Sequence, residues 1–205
     1  MEQLIIFVKA PRLGTVKKRL ARTLGPEAAC AAYCQIVELL LERLAASRAV
    51  ELRFTPDDAA LEIQPWLRPG WRPQPQGPGD LGARMHHAFV SAFQAGAERA
   101  VIIGSDCPAV TLTDIADAFA ALKQNDLVLG PAVDGGYWLI GLSQPQSELF
   151  HAIAWSTAAV LDQTLERARQ TTLQTALLRT LPDVDTVQDW DHFRASQTSI
   201  ARSPF

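Results

Sequence analysis

The sequence predicts an α/β protein with a mostly parallel sheet that helices cover on both faces. Short apolar runs rich in β-branched residues alternate with longer segments of helical periodicity throughout the 205 residues. Asp134-Gly135-Gly136 lies between two of these runs and is a strong turn signal, so one hairpin is expected within the sheet. Hydrophobic residues at 48% and charged residues at 20% fit a globular chain with a sizeable core.

The strands and helices are predicted in turn along the chain. Strands are expected at residues 4–8, 50–54, 100–104, 126–130 and 173–178, with the second half of the hairpin at 137–141. The proline-rich segment 63–79 indicates an ordered loop or a sheet edge. Pro26 suits the first turn of a long helix, and Asp80 is a good N-cap. Further N-caps are Thr111 and Thr186, each with an acid three residues later, and Ser156 or Thr157.

Charge and hydropathy narrow the expected partners. A net charge of −3 gives no overall footprint for nucleic acid or an anionic membrane surface. No apolar stretch approaches the ~18 residues needed to span a bilayer, and the N-terminus lacks the features of a signal peptide. We therefore expect a cytoplasmic protein with small-molecule partners. One domain is assigned to residues 1–195, and the polar segment 196–205 is expected to be a frayed tail.

A basic loop directly follows the first predicted strand. Six Lys and Arg residues fall between positions 9 and 22, around Pro11 and Gly14. Backbone N–H groups and cationic side chains in such a loop can hold phosphate groups. The loop has neither the Walker A nor the GxGxxG spacing, and a solvated basic face is the alternative interpretation.

Carboxylates at strand ends are the second candidate feature. Asp106 follows the strand at 100–104, where it is either a turn residue or a metal ligand. Asp134 lies in the hairpin turn, and Asp183 and Asp185 follow the last strand, unexplained by the capping pattern after them. Oxygen ligands of this kind suit Mg²⁺ or Mn²⁺, with substrate phosphates completing the coordination shell. Cys107 lacks a placed histidine, so we interpret it as structural and not as a nucleophile.

Six blocks of the sequence resemble successive motifs of one family: KAPRLGTVKKRLA, QGPGDLGARM, IIGSDCP, LGPAVDGGYWLIGL, WST and DVDT. These motifs resemble the small bacterial GT-A-like transferases known as radical-SAM/selenodomain-associated transferases or arsenosugar-biosynthesis glycosyltransferases. More distantly, the layout is similar to 2-phospholactate guanylyltransferase and the molybdenum-cofactor guanylyltransferase. The resemblance implies a GT-A, Rossmann-like, three-layer αβα sandwich that binds a nucleotide through a divalent metal.

The resemblance also implies roles for individual residues. Asp106 would bind the metal, and Asp185 is needed as a second ligand because Ser105-Asp106-Cys107 supplies only one carboxylate of the DxD pattern. The phosphates would be held by Lys9, Arg12, Gly14, Lys17 and Arg19, and the nucleoside would lie near Gly79, Asp80 and Arg84. The sugar or acceptor would lie near Gly135, Gly136, Tyr137 and Trp155.

Three functions are compatible with these features. The first is glycosyl transfer from a nucleotide sugar to a small-molecule acceptor, with Asp106 and a metal stabilising the leaving diphosphate and Asp134 as the base. The second is nucleotidyl transfer from an NTP to a phosphorylated acceptor. The third is a nucleotide-binding module without turnover. The sequence leaves the base, the sugar, the acceptor and the oligomeric state open.

Overall fold

The computed structural model describes residues 1–201, with side chains described through Gln197. Within these residues seven strands alternate with seven helices and two short 3₁₀ turns. The strands are β1 Glu2–Lys9, β2 Val50–Thr55, β3 Arg72–Pro75, β4 Arg99–Gly104, β5 Leu127–Pro131, β6 Tyr137–Leu142 and β7 Thr175–Leu177. The helices are α1 Lys18–Leu24, α2 Pro26–Arg43, α3 Ala60–Ile63, α4 Leu81–Gln94, α5 Leu112–Ala121, α6 Val160–Gln170 and α7 Val187–Ala201.

The seven strands form one sheet in the order β3-β2-β1-β4-β6-β5-β7. β6 runs antiparallel to its neighbours β4 and β5, and the other pairs are parallel. The predicted mostly parallel sheet with one hairpin is therefore confirmed, and β6 inserts between β4 and β5. The carboxyl ends of β1, β4 and β5 lie at the same end of the sheet, which is where ligands bind in open α/β sheets.

Two apolar layers enclose the sheet. Leu4, Ile6 and Val8 of β1 belong to a core with residues of α2 and α5. Ile5 and Phe7, on the opposite face, belong to a core with α4 and α6. Helices cover both faces, so the predicted three-layer αβα sandwich is confirmed.

β3 forms one edge of the sheet, within the proline-rich segment. All four of its residues are exposed, while Trp71 just before it is buried. After the strand, the Gln76 backbone N donates to Phe54 O at 2.8 Å and continues the pairing with β2. The sheet-edge alternative predicted for this segment is thus the one the structure shows. At the other edge, β7 is only three residues long.

Some helices differ from the sequence prediction, including the short α3, which was not expected. α1 lies within the basic loop, where no helix was predicted. α6 begins at Val160, after the predicted caps, because the Thr157 hydroxyl bonds Ala154 O at 2.7 Å and closes a separate turn. α7 spans Val187–Ala201, and residues 202–205 lie outside the described residues, so the frayed tail at 196–205 stays a prediction. No helix within residues 1–201 is long and apolar enough to cross a bilayer.

Candidate functional site

The site is built where the basic loop meets the end of β4. Lys17 begins α1 in the left-handed region, with φ of 46°, and only 2% of its side chain is exposed. Its ammonium group is ion-paired with the carboxylate of Asp106, whose side chain is 53% exposed. Two residues predicted for different roles, one for phosphate and one for metal, are therefore in direct contact. A buried lysine requires such a partner because an unpaired buried charge is strongly destabilising.

Tyr33 links the carboxyl ends of β1 and β4, close to this pair. Its hydroxyl accepts a hydrogen bond from the Lys9 backbone N at 2.8 Å and is 3.1 Å from the Ser105 Oγ. Burial, reinforced by the nearby Asp106 charge, raises the pKa of the Tyr33 hydroxyl. The sequence placed Tyr33 correctly on the core face of α2. The missed signal was a hydroxyl in an otherwise apolar stripe, which needs a polar partner when buried.

Two other cations of the basic loop, Arg12 and Arg19, also contact carboxylates. Arg12 bonds Glu62, with Nε–Oε1 and Nε–Oε2 distances of 3.0 Å, and Asp58 at 3.0 Å, and these contacts raise its pKa. Arg19 Nη1 bonds Asp185 Oδ2 at 3.1 Å, and this contact raises its pKa. The remaining members of the predicted phosphate set are Lys9, the exposed last residue of β1, and Gly14, which lies in the following turn with a φ of 71°.

The predicted nucleoside loop is folded around Arg84. The guanidinium turns back over the loop, where Nε donates to Gly79 O at 2.9 Å and Nη1 donates to Thr55 Oγ1 at 3.3 Å. Gly79 has a φ of 98°, which favours glycine. Asp80 caps α4, as predicted, by accepting from Ala83 N at 2.9 Å. Arg84 is thereby held between the loop and the carboxyl end of β2.

The hairpin turn lies on the opposite side of Asp106. Asp134 is exposed, and its Oδ1 accepts from Gly136 N at 2.9 Å, so the carboxylate closes its own turn. Gly135 has a φ of 88°, and a Cβ there would lie 2.8 Å from Ala158 Cα. The close approach of the turn to the segment before α6 explains why this position is a glycine. The Tyr137 hydroxyl is buried beside Thr164 of α6, and the place of this residue near the sugar or acceptor stays a prediction.

Trp155 connects the nucleoside loop to the hairpin side. A Cβ added at Gly82 would lie 2.6–2.7 Å from three atoms of the indole, so the ring packs directly on the first turn of α4. Trp155 is half-buried, and the residues after it contact Gly135. The predicted sugar-side residue thus lies between the two halves of the site.

The segment after β7 completes the site, and we call residues 178–185 the crossing segment. It leaves the sheet edge, pairs with the hairpin through Leu181 N to Pro131 O at 3.1 Å, and reaches β4 through Val184 N to Asp106 O at 2.9 Å. Burial raises the pKa of Asp183, and the nearby Asp134 and Asp185 carboxylates raise it further. The predicted set named Asp185 alone, but Asp183 belongs to the same crowded group of acids.

A divalent cation at this site would need oxygen ligands from the nearby side chains. Among residues 1–201, no three His, Cys, Asp or Glu side chains are placed together to hold a metal ion. Mg²⁺ is commonly held by one or two carboxylates with substrate phosphates completing the shell. Asp106, which is joined to the segment of Asp183 and Asp185 by the Val184 N–Asp106 O hydrogen bond, fits a site in which the protein supplies one or two carboxylates and the phosphates supply the other ligands.

Cys107 has a structural environment. It is buried, its Sγ donates to Pro182 O at 3.2 Å, and burial raises its pKa to about 12. A thiol with so high a pKa is a poor nucleophile near neutral pH. The structure thus favours the structural interpretation of this residue.

The fold and the strand-end site define an α/β, Rossmann-like protein of the nucleotide-diphospho-sugar transferase and cytidylyltransferase fold class. Within that class the chain belongs to the DUF2064 family, described as an uncharacterized protein conserved in bacteria, whose model matches residues 40–157. No curated protein matches the chain.

Solved structures carry the same fold. One from Desulfovibrio desulfuricans G20, described as a "putative nucleotide-diphospho-sugar transferase", is 35% identical, with a TM-score of 0.89 over 98% of this chain and 90% of that one. A manganese complex of Rv0371c from Mycobacterium tuberculosis is 14% identical, with a TM-score of 0.58 over 95% and 98% of the two chains. A cytidylyltransferase from Leptospira borgpetersenii is 12% identical, with a TM-score of 0.56 over 97% and 87%. The broad likeness to GT-A-like transferases is confirmed, and the narrower subfamily stays a prediction.

Proposed function

We propose that this protein is a metal-dependent transferase that uses a nucleotide sugar as donor and a small molecule as acceptor. The observation that carries the proposal is the contact between buried Lys17 and Asp106, beside the acids of the crossing segment. A cation for the phosphates and a carboxylate for a metal meet there at one strand end. Such a pair suits a diphosphate leaving group, whose charge both can stabilise.

The residues divide the work by position. Mg²⁺ or Mn²⁺, held by Asp106 with Asp183 or Asp185, would neutralise charge on the leaving diphosphate. Lys17 would exchange its carboxylate partner for a phosphate oxygen, with Arg19 and Arg12 nearby. Asp134 is the candidate base: Gly136 N holds its Oδ1, and within the described residues Oδ2 is the oxygen left to accept the acceptor's proton. Trp155 would lie beside the transferred sugar, between the nucleoside loop and Asp134.

Nucleotidyl transfer is the second candidate. The same contact would hold a triphosphate equally well, and a cytidylyltransferase shares the fold. The two reactions differ in the bond that breaks, and hence in the product that leaves: a nucleoside diphosphate or pyrophosphate. A module that binds nucleotides without turnover would release neither.

A product assay tests these alternatives. The protein is incubated with Mn²⁺ and either a panel of nucleotide sugars, with water as the default acceptor, or NTPs with phosphorylated acceptors. We expect release of a nucleoside diphosphate from one sugar nucleotide, and a loss of about 10²–10³-fold in Asp106→Asn. Arg169→Met is the matched control, because Arg169 makes an exposed ion pair with Glu166 on α6. Pyrophosphate release would replace the first proposal with the second, and no product with any donor would contradict both.

A further inference from the structure

The position of the crossing segment presents a structural problem. β7 lies at the edge of the sheet, with β5 and β6 between it and β4. Val184, between Asp183 and Asp185, nevertheless donates to Asp106 O at 2.9 Å, just after β4. The chain therefore travels across the ends of two strands with little regular pairing. Isolated backbone hydrogen bonds, such as Leu181 N to Pro131 O and Val184 N to Asp106 O, guide its path, and side-chain contacts from outside the sheet add to them.

One side-chain contact fixes the start of this path. Arg179 Nε bonds Asp114 Oδ1 at 2.6 Å, and Nη2 bonds Asp114 Oδ2 at 2.8 Å. A two-point contact between guanidinium and carboxylate constrains orientation as well as distance. Nη2 also approaches Ala109 O at 3.4 Å, in the loop between Asp106 and α5.

Asp114 is itself held rigidly. Its side chain is 7% exposed and is bound by the Thr111 backbone N at 2.8 Å and hydroxyl at 2.7 Å, as part of the α5 capping box. Arg179 is therefore anchored to the start of α5, and α5 follows directly from the loop that carries Asp106. The loop that carries Asp106 and the crossing segment that carries Asp183 and Asp185 are therefore both attached to the start of α5.

The main chain of Arg179 is anchored on its other side. Its carbonyl accepts from Trp138 Nε1 at 3.2 Å. The indole reaches this position across Gly130, where a Cβ would lie 2.6 Å from Trp138 Cζ2. The residue is thus held by the hairpin through its backbone and by α5 through its side chain, just before the segment turns towards β4.

We propose that Arg179 and Asp114 are positioning residues for the metal-binding acids. Their contact, which we call the brace, sets the separation of Asp183 and Asp185 from Asp106. It touches neither metal nor substrate and acts only through the crossing segment. The inference rests on the proposed function, because it concerns the acids that would hold the metal.

Mn²⁺ and UDP, used as probes on the full chain, test the brace. In Arg179→Met we expect Mn²⁺ affinity in the presence of UDP to fall about 10–100-fold, as is typical when support for metal ligands is removed. UDP affinity without Mn²⁺ should stay within about twofold, since Lys17 and Arg84 are untouched. Amide exchange at Val184, which donates to Asp106 O, should become faster. Arg169→Met should change none of these values.

Asp114→Asn gives a second route and guards against misfolding. It should reproduce the loss of Mn²⁺ affinity, and the double variant should lose no more than either single variant, because one contact is removed in all three. Equal Mn²⁺ affinity in the wild type and Arg179→Met, or a parallel loss of UDP affinity without Mn²⁺, would overturn the brace alone. A wild-type protein that binds no Mn²⁺ with UDP, GDP or CDP would overturn the proposed function and the brace with it.

Discussion

The two tyrosines of this chain offer a matched test of how the site is held together. Tyr33 and Tyr137 are the only tyrosines, and both hydroxyls are buried. The Tyr33 hydroxyl accepts from Lys9 N and is paired with Ser105 Oγ. The Tyr137 hydroxyl lies near Thr164, whose own hydroxyl donates to Val160 O at 2.8 Å, and no hydrogen bond to the Tyr137 hydroxyl meets the geometric criteria among the described residues. The same substitution therefore removes two hydrogen bonds at one position and none at the other.

The expected free-energy changes follow from those bonds. Tyr33→Phe should lower the free energy of unfolding by about 2 kcal/mol, because each net hydrogen bond contributes about 1 kcal/mol and Lys9 N is left unpaired. Tyr137→Phe should change it by less than about 0.5 kcal/mol or stabilise the fold, since an unpaired buried hydroxyl costs desolvation. Urea unfolding followed by tryptophan fluorescence, with unchanged m-values, measures both. Equal shifts, or a larger loss in Tyr137→Phe, would refute the assigned hydrogen bonds.

Two further substitutions probe the nucleoside side and the brace. Gly82→Ala places a Cβ 2.6–2.7 Å from the Trp155 indole, so the ring must move; nucleotide-sugar affinity should fall more than nucleotide affinity, and an unchanged ratio would contradict the position given to Trp155. Burial opposes ionisation of Asp114, but hydrogen bonds from Arg179 and Thr111 outweigh it and lower its pKa. That contribution to stability is therefore present above the unfolded pKa, about 4, and lost as pH falls through the folded value. In Asp114→Asn the urea midpoint of unfolding should depend less on pH between about pH 5 and pH 3 than in the wild type. An equally steep pH dependence in the two proteins would count against the contact.

Local signals in the sequence predicted the elements well. The Asp80 cap, the two capping boxes and the Asp-Gly-Gly turn all form as expected, because each involves partners within three residues. The basic loop misled the helix assignment. α1 has no capping side chain, and Lys17 at its start is left-handed, so the usual signals of a helix start are missing. Its one buried residue, Leu20, lies among cations and gives no helical pattern of apolar residues.

The candidate site depended on contacts that no local pattern contains. The Lys17–Asp106 pair joins positions 89 residues apart, and Arg179–Asp114 joins positions 65 apart. Which of these distant groups meet is decided by the order of strands in the sheet, and that order follows from packing of the whole chain. The same holds for Asp183. The sequence shows two acids at alternate positions after β7, but it does not show that they lie near Asp134.

The prolines of β3 have a consequence for self-association. Gln76 N points towards β2, so residues 73 and 75 direct their backbone away from the sheet, and both are proline. The open side of this edge therefore presents no N–H donor at either position to a strand from another molecule. Pairing of β3 with a strand of another molecule, a common route to fibrils and strand-paired dimers, is disfavoured because proline has no backbone N–H to donate. A homodimer formed by pairing two β3 strands would therefore lack these two donors.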